Sequence, residues 1–133
     1  MKIVDIQGIG PTYAEKLGKA GIHTTDSLLK KGASPEGRKE IEDMTGFANH
    51  TILEWVNMAD LYRVKGVGGQ YSELLRKAGV DTVVELSKRV AEHLYKAMVD
   101  VNETKHVVHK MPTKDQLEDW IQQAKKLPRV ITY

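Results

Sequence analysis

At 133 residues, with 41% hydrophobic and 29% charged side chains, the chain suits one compact domain or two small halves sharing a core, which excludes wholesale disorder and two fully independent domains. The absence of Cys excludes disulfides and thiolate metal sites and fits a reducing compartment, the cytoplasm, while a net charge of +2 gives a polyanion partner little support unless its placement does. Six per cent aromatics with a single Phe leave the core to Leu, Ile, Val, Ala and Met, so helices are expected throughout.

Residues 1–10 carry neither a basic leader nor a long apolar run, and no window approaches the roughly 18 apolar residues of a membrane span. A soluble chain with no membrane partner is expected. Pro11 to Ala20 reads as the first helix, with Pro11 at a position where its missing N–H is harmless and Gly21 as its stop. Thr24 or Thr25 caps a short helix, Asp26 to Lys31; Glu36 to Met44 follows, broken by Gly46. Asn49 to Arg63 is the longest periodic stretch and offers Ile52, Leu53, Val56, Ala59 and Leu61 to a core. Gln70 to Ala78 is stopped by Gly79, Thr82 opens a helix through Arg89, and Ala91 to Met98 continues. Thr113, with Gln116 three residues on, caps a helix to about Lys126, and Val130 to Tyr133 has the composition of an extended end.

Shifting the sequence by 58 positions aligns Ile3–Lys31 with Leu61–Arg89. Gly8, Gly10, Tyr13, Glu15, Leu17, Lys19, Ala20, Gly21, Thr24, Leu28 and Lys30 recur as Gly66, Gly68, Tyr71, Glu73, Leu75, Lys77, Ala78, Gly79, Thr82, Leu86 and Lys88. A seven-residue insertion in the second half extends the match to Trp55/Trp120, Val56/Ile121 and Ala59/Ala124, and places an irregular excursion near Val101 to Thr113. Duplication accounts for this better than chance. The halves are residues 1–60 and 61–133, forming one compact unit. Segments 1–31 and 61–89 carry net charges of +2 and +3, whereas 32–60 carries −4. The basic excess therefore lies with the repeated glycines.

Ile6-Gln7-Gly8-Ile9-Gly10-Pro11 before Tyr13 to Leu17, and Val64-Lys65-Gly66-Val67-Gly68-Gly69 before Tyr71 to Leu75, resemble the helix-hairpin-helix pattern of apolar-x-Gly-apolar-Gly leading into a helix. Two glycines per hairpin would allow backbone angles closed to other residues and let a ligand approach the main chain, with Ile9 or Val67 anchoring the turn. Amides at the helix N-terminus would then face an anion such as a phosphate, a contact that reads shape rather than base sequence. Leu17-x-x-Ala20-Gly21-Ile22 through Ile41-x-x-Met44-Thr45-Gly46-Phe47 is similar to the paired arrangement in the C-terminal domain of the bacterial RNA polymerase α subunit. Over nearly its whole length, including Trp120-Ile121 and Pro128-Arg129-Val130, the chain resembles a bacterial family known as domain of unknown function 4332. These resemblances imply an all-α fold of two helix-hairpin-helix (SAM-like) halves about a pseudo-two-fold axis. They bring no established activity.

The expected function is non-catalytic binding of DNA, duplex or single-stranded, through Gly8, Ile9, Gly10, Gly66, Val67 and Gly68, with Lys16, Lys19, Lys65, Arg76 and Lys77 supplying charge. Gln7 and Lys65 stand where DNA-binding hairpins commonly have proline, and Glu15 and Glu73 lie near the phosphate face. The alternative is a structural or protein-interaction module, including a homodimer, in which the acidic Glu36 to Asp60 segment meets a basic face. Trp55 and Trp120 read as core anchors rather than base-stacking platforms, and Ala14 and Ser72 as packing positions. No cofactor or metal is expected. His106 and His109 with Glu103 form a weak pattern, Asp60, Asp100, Asp115 and Asp119 are scattered, and neither a phosphate-binding loop nor a nucleophile elbow is present.

Overall fold

The computed structural model describes residues 1–133 and is all-helical, with eight α-helices, a short 3₁₀ turn at Ile3–Asp5 and no strand beyond an isolated bridge between Lys2 and Thr24. No helix is long and apolar enough to cross a membrane. Two compact units divide the chain: Met1–Asp60 with Val130–Tyr133, and Leu61–Arg129. Val130–Tyr133, which the repeat assigns to the second half, thus belongs with the first unit.

The first unit holds α1 (Pro11–Lys19), α2 (Thr25–Gly32), α3 (Pro35–Thr45) and α4 (Asn49–Leu61). α1 begins at Pro11 and gives way to Gly21, whose φ of 83° suits a residue without a Cβ. α2 starts at the Thr24 cap, whose hydroxyl accepts from the Ser27 amide at 3.1 Å. α3 starts one residue earlier than Glu36 because Ser34 accepts from the Gly37 amide at 3.0 Å and Pro35 fits the first turn. Leu17, Ile22, Leu28, Ile41 and Ile52 are fully buried, each such side chain stabilising the fold by about 1.5–3 kcal/mol. Gly32 is where α2 crosses α4 closely, since a Cβ there would collide with a methyl of Val56.

The sequence holds no hint of the role of Arg38, which is buried in this unit. Its guanidinium donates to the carbonyls of Gly32 at 2.9 Å, Ala33 at 3.2 Å and Thr132 at 2.8 Å. The Thr132 amide donates in turn to Ala33 at 2.8 Å, and Ile131 is buried. The end is therefore held by side-chain and backbone hydrogen bonds and by buried Ile131 rather than by a sheet.

The second unit repeats the order with α5 (Gly69–Lys77), α6 (Val83–Ser87), α7 (Ala91–Lys105) and α8 (Lys114–Lys126). α8 packs on α6 and α7, and α5 packs on α7, around Leu74, Leu75, Leu86, Leu94, Met98, Leu117 and Ile121. α8 opens on the expected capping box of Thr113 and Gln116. Two elements differ from expectation. α6 stops at Ser87 rather than Arg89, with the Ser87 hydroxyl bonding back to the Val84 carbonyl. α7 runs on to Lys105 instead of ending at Met98, so the excursion is helical over its first part. No Gly or Pro interrupts residues 91–105, and Leu94, Met98 and Val101 keep a core-facing spacing.

His106 ends α7 in the left-handed region, φ 50°, its amide bonded to the Asn102 carbonyl at 2.9 Å. The Asn102 side chain then clamps the backbone of Val108 through two 3.0 Å hydrogen bonds, one to its carbonyl and one from its amide. The remaining loop, residues 106–113, is ordered by this clamp and by buried Val108 and Pro112.

Candidate functional site

Each unit contains the same turn. The Ile9 amide donates to the Ile6 carbonyl at 3.1 Å and the Val67 amide to Val64 at 3.2 Å, with Gly8 (φ 92°) and Gly66 (φ 99°) at the third position, the signature of a type II β-turn. Ile9 and Val67 are buried, each 4% exposed, and anchor their turns. The second glycine of each pair has a different role from the one expected. Gly10 (φ −89°, ψ −176°) and Gly68 (φ −105°, ψ −166°) are extended, as any residue can be, and a Cβ on either would meet nothing within 4 Å. They are N-caps without a side chain.

That choice has a consequence for the amides. α2, α3, α6 and α8 begin on Thr or Ser hydroxyls that accept from the first turn; α1, α5 and α7 do not. The amides of Gly10, Thr12 and Tyr13, and of Gly68, Gly69, Gln70 and Tyr71, have no partner within the protein. A groove of about 170 Å³ lined by Gly8, Gly10, Pro11, Thr12 and Tyr13 lies over the first turn. A larger cleft of about 500 Å³ lies over the second, with Gly66, Gly68 and Tyr71 on one side and Val108, His109 and Lys110 from the 106–113 loop on the other. Open amide donors at a helix N-terminus favour a small anion.

Trp55 and Trp120 are buried as core anchors, but they also form the floors of the turns. A Cβ on Gly8 would lie 3.8 Å from Nε1 of Trp55, and one on Gly66 only 2.8 Å from Nε1 of Trp120. Sequence reasoning paired the two tryptophans but not each with its glycine.

The basic side chains divide unevenly. Lys16 is exposed with its ammonium 5.5 Å above the Phe47 ring. Lys19 approaches Glu15 only to 4.0 Å with both side chains about three-quarters exposed, a pair of little energetic weight. Lys65 leaves its side chain exposed, while its backbone is clamped by Gln123, which accepts from its amide at 2.8 Å and donates to its carbonyl at 3.1 Å. Arg76 and Lys77, expected at the phosphate face, are instead drawn to the buried carboxylate of Glu73 at 2.8 and 3.4 Å. A buried carboxylate requires such partners. The position matching Lys16 is Leu74, fully buried, so the cationic arrangement is not repeated. Tyr13, Tyr71, His109 and Lys110 were missed as lining residues; only the tyrosines carried a signal, through their recurrence in the repeat.

Burial pushes the Glu73 carboxyl up, but the hydrogen bonds and charges of Arg76 and Lys77 outweigh it and hold the group below its ordinary value of 4.5. A lowered native value means stabilisation present above the unfolded value and lost as pH falls through the native one. Glu73→Gln is therefore expected to flatten the fall of stability as pH drops below the ordinary carboxyl value of 4.5. Denaturant midpoints below that value check this, and an unchanged slope would remove Glu73 as its source.

No group of three or more His, Asp or Glu is placed to hold a metal ion. His106 sits at the left-handed end of α7 and His109 in the following loop, so they do not share a helical face.

The family described as Domain of unknown function (DUF4332) matches residues 7–127. The chain belongs to this family. The match takes in the first turn from Gln7, the second turn and all of α8, so both grooves of this DUF4332 chain lie within the family's extent. An adenylosuccinate synthetase of Trichlorobacter lovleyi (strain ATCC BAA-1151 / DSM 17278 / SZ) is 31% identical over 85 residues, 64% of this chain and 19% of that protein. The chain thus spans about a fifth of the length of that relative. No solved structure matches it.

Proposed function

We propose that this protein is a non-catalytic helix-hairpin-helix module that binds the nucleic-acid backbone weakly and without sequence preference, DNA being the expected partner. The observation that carries this reading is the twice-built turn: a positive-φ glycine, a buried apolar anchor, then a glycine N-cap that leaves the first amides of α1 and α5 without partners beneath an open groove. Main-chain donors recognise phosphate oxygens irrespective of base, and Lys16, Lys19 and Lys65 add exposed charge. Arg76 and Lys77 contribute through Glu73 to the folding of α5 rather than to phosphate.

Two hairpins on one chain raise the effective concentration of the second contact, so the pair binds more tightly than either alone. If each neutralises one phosphate, the slope of log affinity against log salt is about −1.8, roughly a twelvefold loss between 50 and 200 mM. Fluorescence anisotropy on a labelled duplex measures it.

Gly10→Val and Gly68→Val fill open space without requiring a forbidden φ, so both are expected to stay helical by circular dichroism and to lose duplex affinity, the double variant most. Equal binding by wild type and both variants would reject the hairpins as the site. No binding by the wild type at low salt would move the reading to a protein-interaction module.

A further inference from the structure

The two hairpins, alike in backbone, differ in the aromatic residue beside the open amides. Tyr13, on the first turn of α1, is 46% exposed. Its ring is held by Phe47, 5.1 Å away at 67°, and by Trp55, 6.0 Å away at 48°, while Phe47 meets Trp55 edge-on at 5.1 Å. Lys16 places its ammonium over Phe47. An exposed, braced ring therefore borders the groove that also holds the open amides of Gly10, Thr12 and Tyr13.

Tyr71, its counterpart, is half-buried against Trp120, ring centroids 5.3 Å apart, and its hydroxyl donates to the Lys110 carbonyl at 3.0 Å. The loop that supplies Lys110 has no equivalent in the first unit, where Gly46, Phe47 and Ala48 alone join α3 to α4.

We propose that the first hairpin is a single-strand site, in which a nucleobase stacks on Tyr13 while the adjoining phosphate takes the open amides at the start of α1. This rests on the backbone-binding reading above and names its substrate class. A flat aromatic surface next to an anion site matches a ligand that alternates flat bases with phosphates. Only unpaired bases reach such a surface, because in a duplex they are stacked on one another. Lys16 adds a cation over Phe47, the ring that braces Tyr13, and the buried Leu74 gives the second hairpin none at the matching position.

The test is anisotropy with a labelled oligothymidylate and a labelled duplex of equal length at low salt, for wild type, Tyr13→Ala and Tyr13→Phe. The expected result is a single-strand-to-duplex affinity ratio about tenfold lower for Tyr13→Ala and restored to within about twofold by Tyr13→Phe. In parallel, a single strand carrying 5-iodouracil is photocrosslinked to the wild-type protein, with the crosslink expected on the peptide containing Tyr13. A Tyr13→Ala ratio within about threefold of wild type, or a crosslink at Tyr71 or at neither tyrosine, would overturn the stacking proposal while backbone binding stood. Wild type binding neither oligonucleotide would overturn both.

Discussion

Replacing Gly66 by alanine is expected to cost the second unit about 2–5 kcal/mol, a large fraction of the stability of a small domain. Two costs combine. At φ 99° an L side chain sits in the left-handed half of the backbone map, worth about 1–2 kcal/mol. The new Cβ would also lie 2.8 Å from Nε1 of Trp120, a rigid ring 2% exposed with no room to retreat, and overpacking of this kind costs about 1–3 kcal/mol. Gly8→Ala meets Trp55 only at 3.8 Å, so it should lose the backbone cost alone, about 1–2 kcal/mol. Gly68→Ala, extended and in open space, should lose no more than about 1 kcal/mol as a poorer cap. Denaturant unfolding of the three variants orders them. Equal losses at Gly66 and Gly68 would mean that the turn geometry does not set the cost.

Arg38→Met is expected to destabilise the first unit by about 3 kcal/mol and to release the chain end. The guanidinium satisfies three carbonyls in a buried setting, and hydrogen bonds to a charged group contribute about 1.5–3 kcal/mol each, less what water recovers. Arg38→Lys should rescue little, because an ammonium lacks the planar fork that reaches Gly32, Ala33 and Thr132 together. Amide exchange reports the release directly: the Thr132 amide, bonded to Ala33, should exchange much faster in Arg38→Met. Unchanged protection there would show that Arg38 is not what holds the end.

Much of this architecture was legible because it is written locally. Thr24 before Ser27 and Thr113 before Gln116 announce helix starts, since a hydroxyl reaches an amide only three residues on. Gly21, Gly46 and Gly79 announce stops through their positive φ. The repeat located both turns and their buried anchors, Ile9 and Val67. The charges were less legible: Arg76 and Lys77 looked available on a helix surface until α5 turned out to carry its Glu73 in a buried position.

The sequence by itself determined the all-helical class, nearly every helix start and stop, and the position of two equivalent glycine turns, because these depend on contacts within a few residues. Tertiary structure decided which glycine of each pair needs its missing Cβ, since that follows from φ and from Trp55 or Trp120 arriving beneath the turn. It also decided that Arg38 holds Thr132, 94 residues away, and that the 106–113 loop engages Tyr71 while Tyr13 stays exposed. Such partners are chosen by packing across the fold, where proximity owes nothing to spacing along the chain.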